Sequence, residues 1–272
     1  MLLYPNAKIN LGLNVVERRT DGYHNIETVF YPIGLSDVLE IEPSETCMDY
    51  SFSSSGIPID GDPEDNLIVR AYRLLRREYQ IPPVDISLFK QIPFGAGLGG
   101  GSSDAAFMLK GLNELFELKI TTKKLERLAA KLGADCPVFI QNKPVFATGT
   151  GNVFTQIDLT LKDKFLVLVK PDIHVSTPEA YSLIIPENPE FSLRELIKKP
   201  ISEWKSLIKN DFEKSVFIKY PAIEIIKNNL YDIGATYASM SGSGSSVYGI
   251  FESKPKKTEL FEGCFVAGGI IE

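Results

Sequence analysis

A chain of 272 residues with 44% hydrophobic content can bury a full core as one large domain or two smaller ones, and two are expected at this length. Its 35 acidic side chains outnumber 29 basic ones, leaving a net charge of −6. That balance weighs against nucleic acid, whose backbone is gripped by clustered Lys and Arg, and favours a small-molecule partner.

No apolar run approaches the ~18 residues of a membrane span, so no membrane partner is expected. Cys47, Cys136 and Cys264 are odd in number and widely spaced. They fit neither a disulfide framework nor a metal knuckle, and reduced thiols in a cytoplasmic protein are the expectation. The N-terminal stretch MLLYPNAKINLGLNVVERR lacks the basic start and cleavage site of a signal peptide and alternates like a strand.

In chain order, AKINLGLNVVE, HNIETVFYPIG and SDVLEIEP alternate apolar and polar residues between turn formers at Asp21, Gly22, Gly34 and Ser36, which predicts antiparallel strands. A polar, Ser-rich loop is expected around residues 51–65. DNLIVRAYRLLRREYQ then sets Leu67, Ile68, Ala71, Leu74 and Leu75 on one stripe of a helix capped by Asp65 or Asn66. VDISLFKQI reads as a strand, and beyond the glycines a helix should start near Ser103 or Asp104 with a serine cap. A second helix, TTKKLERLAAKLGA, opens at Thr121 or Thr122 and closes at Gly133, with Asp135 just beyond. The apolar run DKFLVLVKP predicts a strand, and a domain boundary is placed at residue 158. STPEAYSLI and PAIEIIKNNLYDIG read as helices, ATYASM and SSVYGIF as strands, so residues 159–272 are expected to form a smaller α+β domain.

The stretch IPFGAGLGGGSSDAA, residues 92–106, admits three readings. It is a flexible connector, although a strand and a capped helix bracket it tightly. It is a dinucleotide fingerprint, since Gly95, Gly97 and Gly100 satisfy G-x-G-x-x-G and Glu117 lies at a suitable distance. Or it is a phosphate cradle, in which glycines permit positive φ and close backbone approach while a helix N-terminus adds partial positive charge. Ser102 stands where a Walker loop needs Lys, so a different phosphate-binding architecture is required.

PFGAGLGGGSSDAA closely resembles the second motif of the GHMP small-molecule kinases; PNAKINLGL (5–13) resembles their first and SMSGSGSSVYGIF (239–251) their third. AKINLGL, DGYH (21–24), DNLIVRA (65–71) and LGADCPVF (132–139) together are similar to the branch that phosphorylates a cytidine-diphosphate-linked methylerythritol. The resemblance implies an α+β, two-domain GHMP kinase fold: an N-terminal nucleotide-binding domain (1–158) of a kind shared with a ribosomal protein, and a C-terminal ferredoxin-like domain (159–272) completing the substrate site. It also implies ATP as phosphoryl donor, with Mg²⁺ carried on it, and the 2-hydroxyl of 4-diphosphocytidyl-2-C-methyl-D-erythritol as acceptor. Oligomeric state and protein ligands of Mg²⁺ are left open.

Site residues follow from the same resemblance. Pro93, Phe94, Gly95, Ala96, Gly97, Leu98, Gly99, Gly100, Gly101, Ser102 and Ser103 would wrap the ATP phosphates, with Asn66 near the adenine unless it only caps its helix. Lys8 and Asp135 would face the acceptor hydroxyl as the catalytic pair; without the motifs, Lys8 reads as part of a solvated strand face and Asp135 as a turn brace. Tyr23 would stack on the cytosine, His24 give it polar contacts and Tyr181 cover its other face, although DGYH alone reads as a hairpin. Asn10, Thr177 at a helix cap, and Gly242, Ser243 and Gly244 complete the acceptor set. Rival readings are another kinase of the superfamily acting on homoserine, mevalonate or a sugar, a nucleotide-dependent oxidoreductase, and a nucleic-acid-binding module.

Overall fold

A computed structural model describes residues 1–256 and 259–272. In chain order its elements are β1 (Leu2–Leu3), β2 (Asn6–Arg18), β3 (His24–Ser36), β4 (Val38–Pro43), β5 (Tyr50–Gly56), α1 (Leu67–Tyr79), β6 (Val84–Lys90), α2 (Gly100–Leu115), α3 (Thr122–Ala130) and α4 (Val138–Gln141). There follow β7 (Val145–Thr148), β8 (Val153–Gln156), β9 (Phe165–Lys170), α5 (Thr177–Tyr181), α6 (Leu193–Leu196), α7 (Ile201–Leu207), α8 (Phe212–Lys219), α9 (Pro221–Asp232), β10 (Tyr237–Met240), β11 (Val247–Phe251) and β12 (Phe265–Ile270). The described residues form four-stranded sheets in the orders β1-β4-β6-β5, β2-β3-β7-β8 and β10-β11-β9-β12, an α+β arrangement as expected. None of the described helices is long and apolar enough to cross a membrane.

The chain divides into two compact units, each gathered from separate stretches. One comprises Met1–Ala7, Leu35–Phe94 and Gly99–Lys143; the other comprises Lys8–Gly34, Gly95–Leu98 and Pro144–Glu272.

In the first unit β6 turns Val84, Ile86, Leu88 and Lys90 to its buried face, the period of two that a half-covered strand requires. The helices α1 and α2 pack on each other, and α2 lies on β4. Gly111 permits that approach, since a Cβ there would stand 2.5 Å from Leu3 and 2.8 Å from Ile41. Of the two candidate caps for α1, Asn66 is the one used: its side chain accepts the Ile68 N–H at 2.9 Å. Residues 50–56 depart from the expected loop. They form β5, parallel to β6 from Tyr50–Val84 to Gly56–Lys90. Serines carry no strand signal of their own, and backbone pairing on a neighbour decides the matter. The start of α2 is also corrected: it begins at Gly100 behind a left-handed Gly99 with no side-chain cap, because the loop feeds directly into the helix.

In the second unit β9 is central, paired antiparallel with β11 and with β12, and both of its faces are covered, which accounts for its unbroken apolar run. A core cluster joins Leu13, Val15 and Ile26 to Val167, Val169, Phe212, Ile223 and Val247. The helix α5 is capped by Ser176, not Thr177: Ser176 and Glu179 form a reciprocal capping box, with Thr177 the first helical residue. The short helices α6, α7 and α8 and the glycine-containing β12 were not predicted, being too brief or too poor in β-branched residues to leave a periodic signal.

Candidate active site

Glycine loop geometry comes first. Gly95, Gly97 and Gly99 have φ of +57°, +73° and +71°, a region closed to most side chains, while Ala96 and Leu98 between them are buried. The alternation places the left-handed backbone at the glycines and pins the loop by its two buried apolar side chains. This is a shaped ribbon, not a connector.

Within the second unit three distant motifs meet at the Gly97 carbonyl. It accepts from the Lys8 ammonium at 2.9 Å and from the Ser241 hydroxyl at 2.8 Å. Lys8 N–H bonds the Leu98 carbonyl at 3.0 Å, and Ser246 N–H the Ala96 carbonyl at 3.3 Å. Lys8 also donates to Asn10 Oδ1 at 2.7 Å, Asn10 Nδ2 to Thr28 Oγ1 at 2.8 Å, and Thr28 in turn to the Gly12 carbonyl at 2.6 Å. Lys8 and Asn10, 4% and 2% exposed, therefore do not lie on a solvated strand face; the strand is covered on both sides and its polar residues are satisfied internally. Gly242 packs on Gly97, and Asn210 holds the third glycine motif by donating to the Met240 and Gly242 carbonyls, each at 2.8 Å. Ser243 is half-buried and Gly244 has φ of +87°.

The first unit holds the other half of the motif residues. Pro93 and Phe94 enter the loop, Gly99 is the N-cap of α2, and Gly100, Gly101, Ser102 and Ser103 form its first turn, with the Ser103 N–H on the Gly99 carbonyl at 2.9 Å; the N–H groups ahead of it and the helix dipole favour an anion. A cavity of 390 Å³, the size of a small-ligand site, is lined by Phe52, Pro63, Asn66, Leu67, Phe94 and Gly101 among others. Asn66 is thus both helix cap and cavity wall. Asp135 is half-buried in the turn between α3 and α4, beside Cys136. Burial pushes the Cys136 thiol up to about 11, against a hydrogen bond with Ser102, so the thiol stays protonated and the Asp135 turn is tied to the loop exit.

Around DGYH, Asp21 accepts the Tyr23 N–H at 3.1 Å and pairs with Arg19 at 2.8 Å, while Gly22 takes φ of +87°. The His24 ring stacks on Tyr181 with centroids 4.5 Å apart and planes 17° off parallel, and Phe212 meets Tyr181 edge-on at 4.7 Å. Burial, then the Arg18 charge, holds His24 below the ordinary histidine value and favours the neutral ring. Tyr23 is 67% exposed, and Thr177 is exposed at the start of α5. Sequence reasoning missed Thr28, Asn210 and Ser241; the buried polar character of the first two leaves no local signal, whereas Ser241 adjoins a motif glycine. It also missed His174, whose Nδ1 lies 2.7 Å from where a Gly95 Cβ would stand. Among the described residues no group of three or more His, Cys, Asp and Glu is placed to hold a metal ion.

The second unit thus holds a glycine ribbon with a buried lysine on its carbonyl, and the first a helix N-terminus opened by glycines; family comparison gives the class of protein. The GHMP kinases N terminal domain matches residues 66–143 and the GHMP kinases C terminal domain residues 192–264. The chain belongs to the GHMP kinase family. A Parabacteroides distasonis protein named 4-diphosphocytidyl-2-C-methyl-D-erythritol kinase is 59% identical over 99% of this chain and 99% of its own length. A Bacteroides fragilis protein of the same name is 59% identical over 97% of each. A crystal structure of 4-(cytidine 5'-diphospho)-2C-methyl-D-erythritol kinase superposes with a TM-score of 0.82 at 30% identity, covering 98% of both chains.

Proposed function

We propose that the chain transfers the γ-phosphoryl group of ATP to the 2-hydroxyl of 4-diphosphocytidyl-2-C-methyl-D-erythritol, giving the 2-phosphate and ADP in the non-mevalonate (methylerythritol phosphate) route to isoprenoid precursors. The observation that carries this reading is the meeting of Lys8, Gly97 and Ser241 in a chain 59% identical, end to end, to a kinase of that name.

Phosphoryl transfer asks a protein for positioning and charge neutralisation more than for covalent help. Backbone N–H groups of residues 93–103 and the α2 N-terminus supply the anion cradle, and the cavity beside Asn66 takes the adenine. Lys8 balances charge on the transferring phosphoryl oxygens; Asp135 accepts or orients the acceptor hydroxyl proton as the bond to ADP breaks and the new O–P bond forms. Mg²⁺ is expected on the triphosphate oxygens and water, in keeping with its reluctance to dehydrate. His24, Tyr23 and Tyr181 take the cytosine, which displaces the His24–Tyr181 stack or extends it; Asn10, Thr177 and residues 242–244 bind the remainder of the acceptor. Residues 1–158 carry the nucleotide half of the work and 159–272 complete the acceptor site, and the chain works in the cytoplasm.

A coupled ADP-release assay with Mg-ATP tests the proposal against 4-diphosphocytidyl-2-C-methyl-D-erythritol, homoserine, mevalonate and a sugar. Release only with the cytidylyl substrate is expected. Folded protein that is silent with it, or faster with another acceptor, defeats the assignment.

A further inference from the structure

The first unit contains a buried ionic cluster that the chemistry above does not use. Lys90, the last residue of β6, reaches Asp37 Oδ2 at 2.5 Å and Asp104 Oδ2 at 2.6 Å, and all three side chains are almost wholly shielded from solvent. Asp37 does more than pair. Its Oδ1 accepts the Gln91 N–H at 2.6 Å and the Ile92 N–H at 2.8 Å, the two backbone groups just ahead of the glycine loop. Asp104 lies on the second turn of α2, just past the loop exit. Gly100 sits directly on the cluster, since a Cβ there would stand 3.1 Å from the Lys90 ammonium and 2.8 Å from Ile92.

Stability alone does not call for such a cluster, because a buried ion pair is often matched or bettered by apolar side chains of similar volume. Here one cation faces two carboxylates, and Asp104 Oδ1 is buried without a hydrogen-bond partner. What the arrangement supplies is geometry: a carboxylate fixing two successive amides on entry, and a short ammonium bridge from that carboxylate to the helix on exit. We propose that Asp37, Lys90 and Asp104 are positioning residues that fasten both ends of the phosphate loop at a fixed separation, so that its backbone amides are pre-aimed at the nucleotide phosphates. The gain is preorganisation, since the loop is not ordered at the moment of binding. This inference rests on reading that loop as the ATP cradle.

Calorimetric titration of the full chain with Mg-ADP tests it, together with KM values for both substrates. Asp104→Ala cuts the bridge to α2 and should weaken Mg-ADP about tenfold and raise KM for ATP, with the acceptor KM unchanged. The shape-conserving Asp104→Asn, which still accepts from Lys90, should restore most of that affinity. In Lys90→Met/Asp104→Leu the ammonium and the Asp104 carboxyl are removed together, while Asp37 keeps its two backbone amides; thermal stability should recover relative to Lys90→Met while Mg-ADP affinity stays weak. Wild-type affinity in Asp104→Ala, equal loss in both Asp104 variants, or recovery of affinity along with stability in the double variant overturns the proposal. Failure of all these variants to fold overturns it too, since the cluster is then a stability element. A wild-type chain that binds no Mg-ADP defeats the reading of the loop itself, a distinguishable result.

Discussion

Lys8 and Asp135 carry the sharpest expectations at the scale of single residues. Lys8 is buried on a hydrogen-bond network whose other members, Asn10, Thr28 and the Gly97 carbonyl, keep one another satisfied, and Asp135 sits half-exposed in a turn. Lys8→Ala and Asp135→Asn should retain native circular dichroism and lower kcat by about 10²–10⁴, the usual range for a positioned acid–base group. Near-normal turnover in either would remove that residue from the catalytic pair. Gly97 is held by two constraints at once: φ of +73°, and a Ser241 carbonyl with which any Cβ would collide. Backbone cannot yield as a flexible side chain does. Gly97→Ala should therefore lose more than the ~1 kcal/mol of a left-handed alanine and abolish nucleotide binding, read by thermal melting and Mg-ADP titration. A variant that melts and binds like the parent would mean the loop has room to move.

At the scale of elements, the join between β6 and α2 has a pH signature. Burial, working against the Lys90 ammonium and assisted by the Asp37 charge, pushes the Asp104 carboxyl up to about 8. A folded value above the unfolded one means that the stability contribution is complete below the ordinary carboxylate range and is lost progressively as pH rises to about 8. Asparagine cannot ionise. The melting temperature of Asp104→Asn relative to the parent should therefore climb from pH 5 to pH 8 and then level off; a difference that stays flat over that range would show an Asp104 kept ionised by Lys90. The same join shows what local sequence reports poorly. A helix opening at Gly100 without a side-chain cap, and β5 built from serines, owe their bounds to neighbours rather than to their own residues.

For the whole molecule, the second unit is threaded by the early chain. Leu13, Val15 and Ile26 sit in one core with Val167, Val169 and Phe212, and the segments run side by side: Leu13 N–H bonds the Lys209 carbonyl at 2.9 Å, Asp211 N–H the Leu13 carbonyl at 2.8 Å, and Val15 N–H the Asp211 carboxylate at 2.8 Å. Residues 159–272 expressed alone would expose that core and leave those groups unpaired. Such a fragment should lack a cooperative urea transition by circular dichroism, whereas sharp two-state unfolding would show that residue 158 divides independently folding domains.

Features written locally were legible before the fold was known. The stripe of Ile68, Ala71 and Leu75 and the Asn66 cap announce α1, Thr121 opens α3, and the glycine cluster announces a loop with residues at positive φ, since period, cap and backbone freedom are properties of a few adjacent residues. The motif order carried the family. Contacts closed over long separations were not legible. Asn10 meets Ser241 across 231 residues, His24 stacks on Tyr181, Lys8 is sealed on what read as an open strand face, and Lys90 finds two carboxylates. Sequence alone determined what kind of site these residues are able to build; burial and hydrogen-bond satisfaction, which exist only once distant segments pack, decided which side chains hold it in shape.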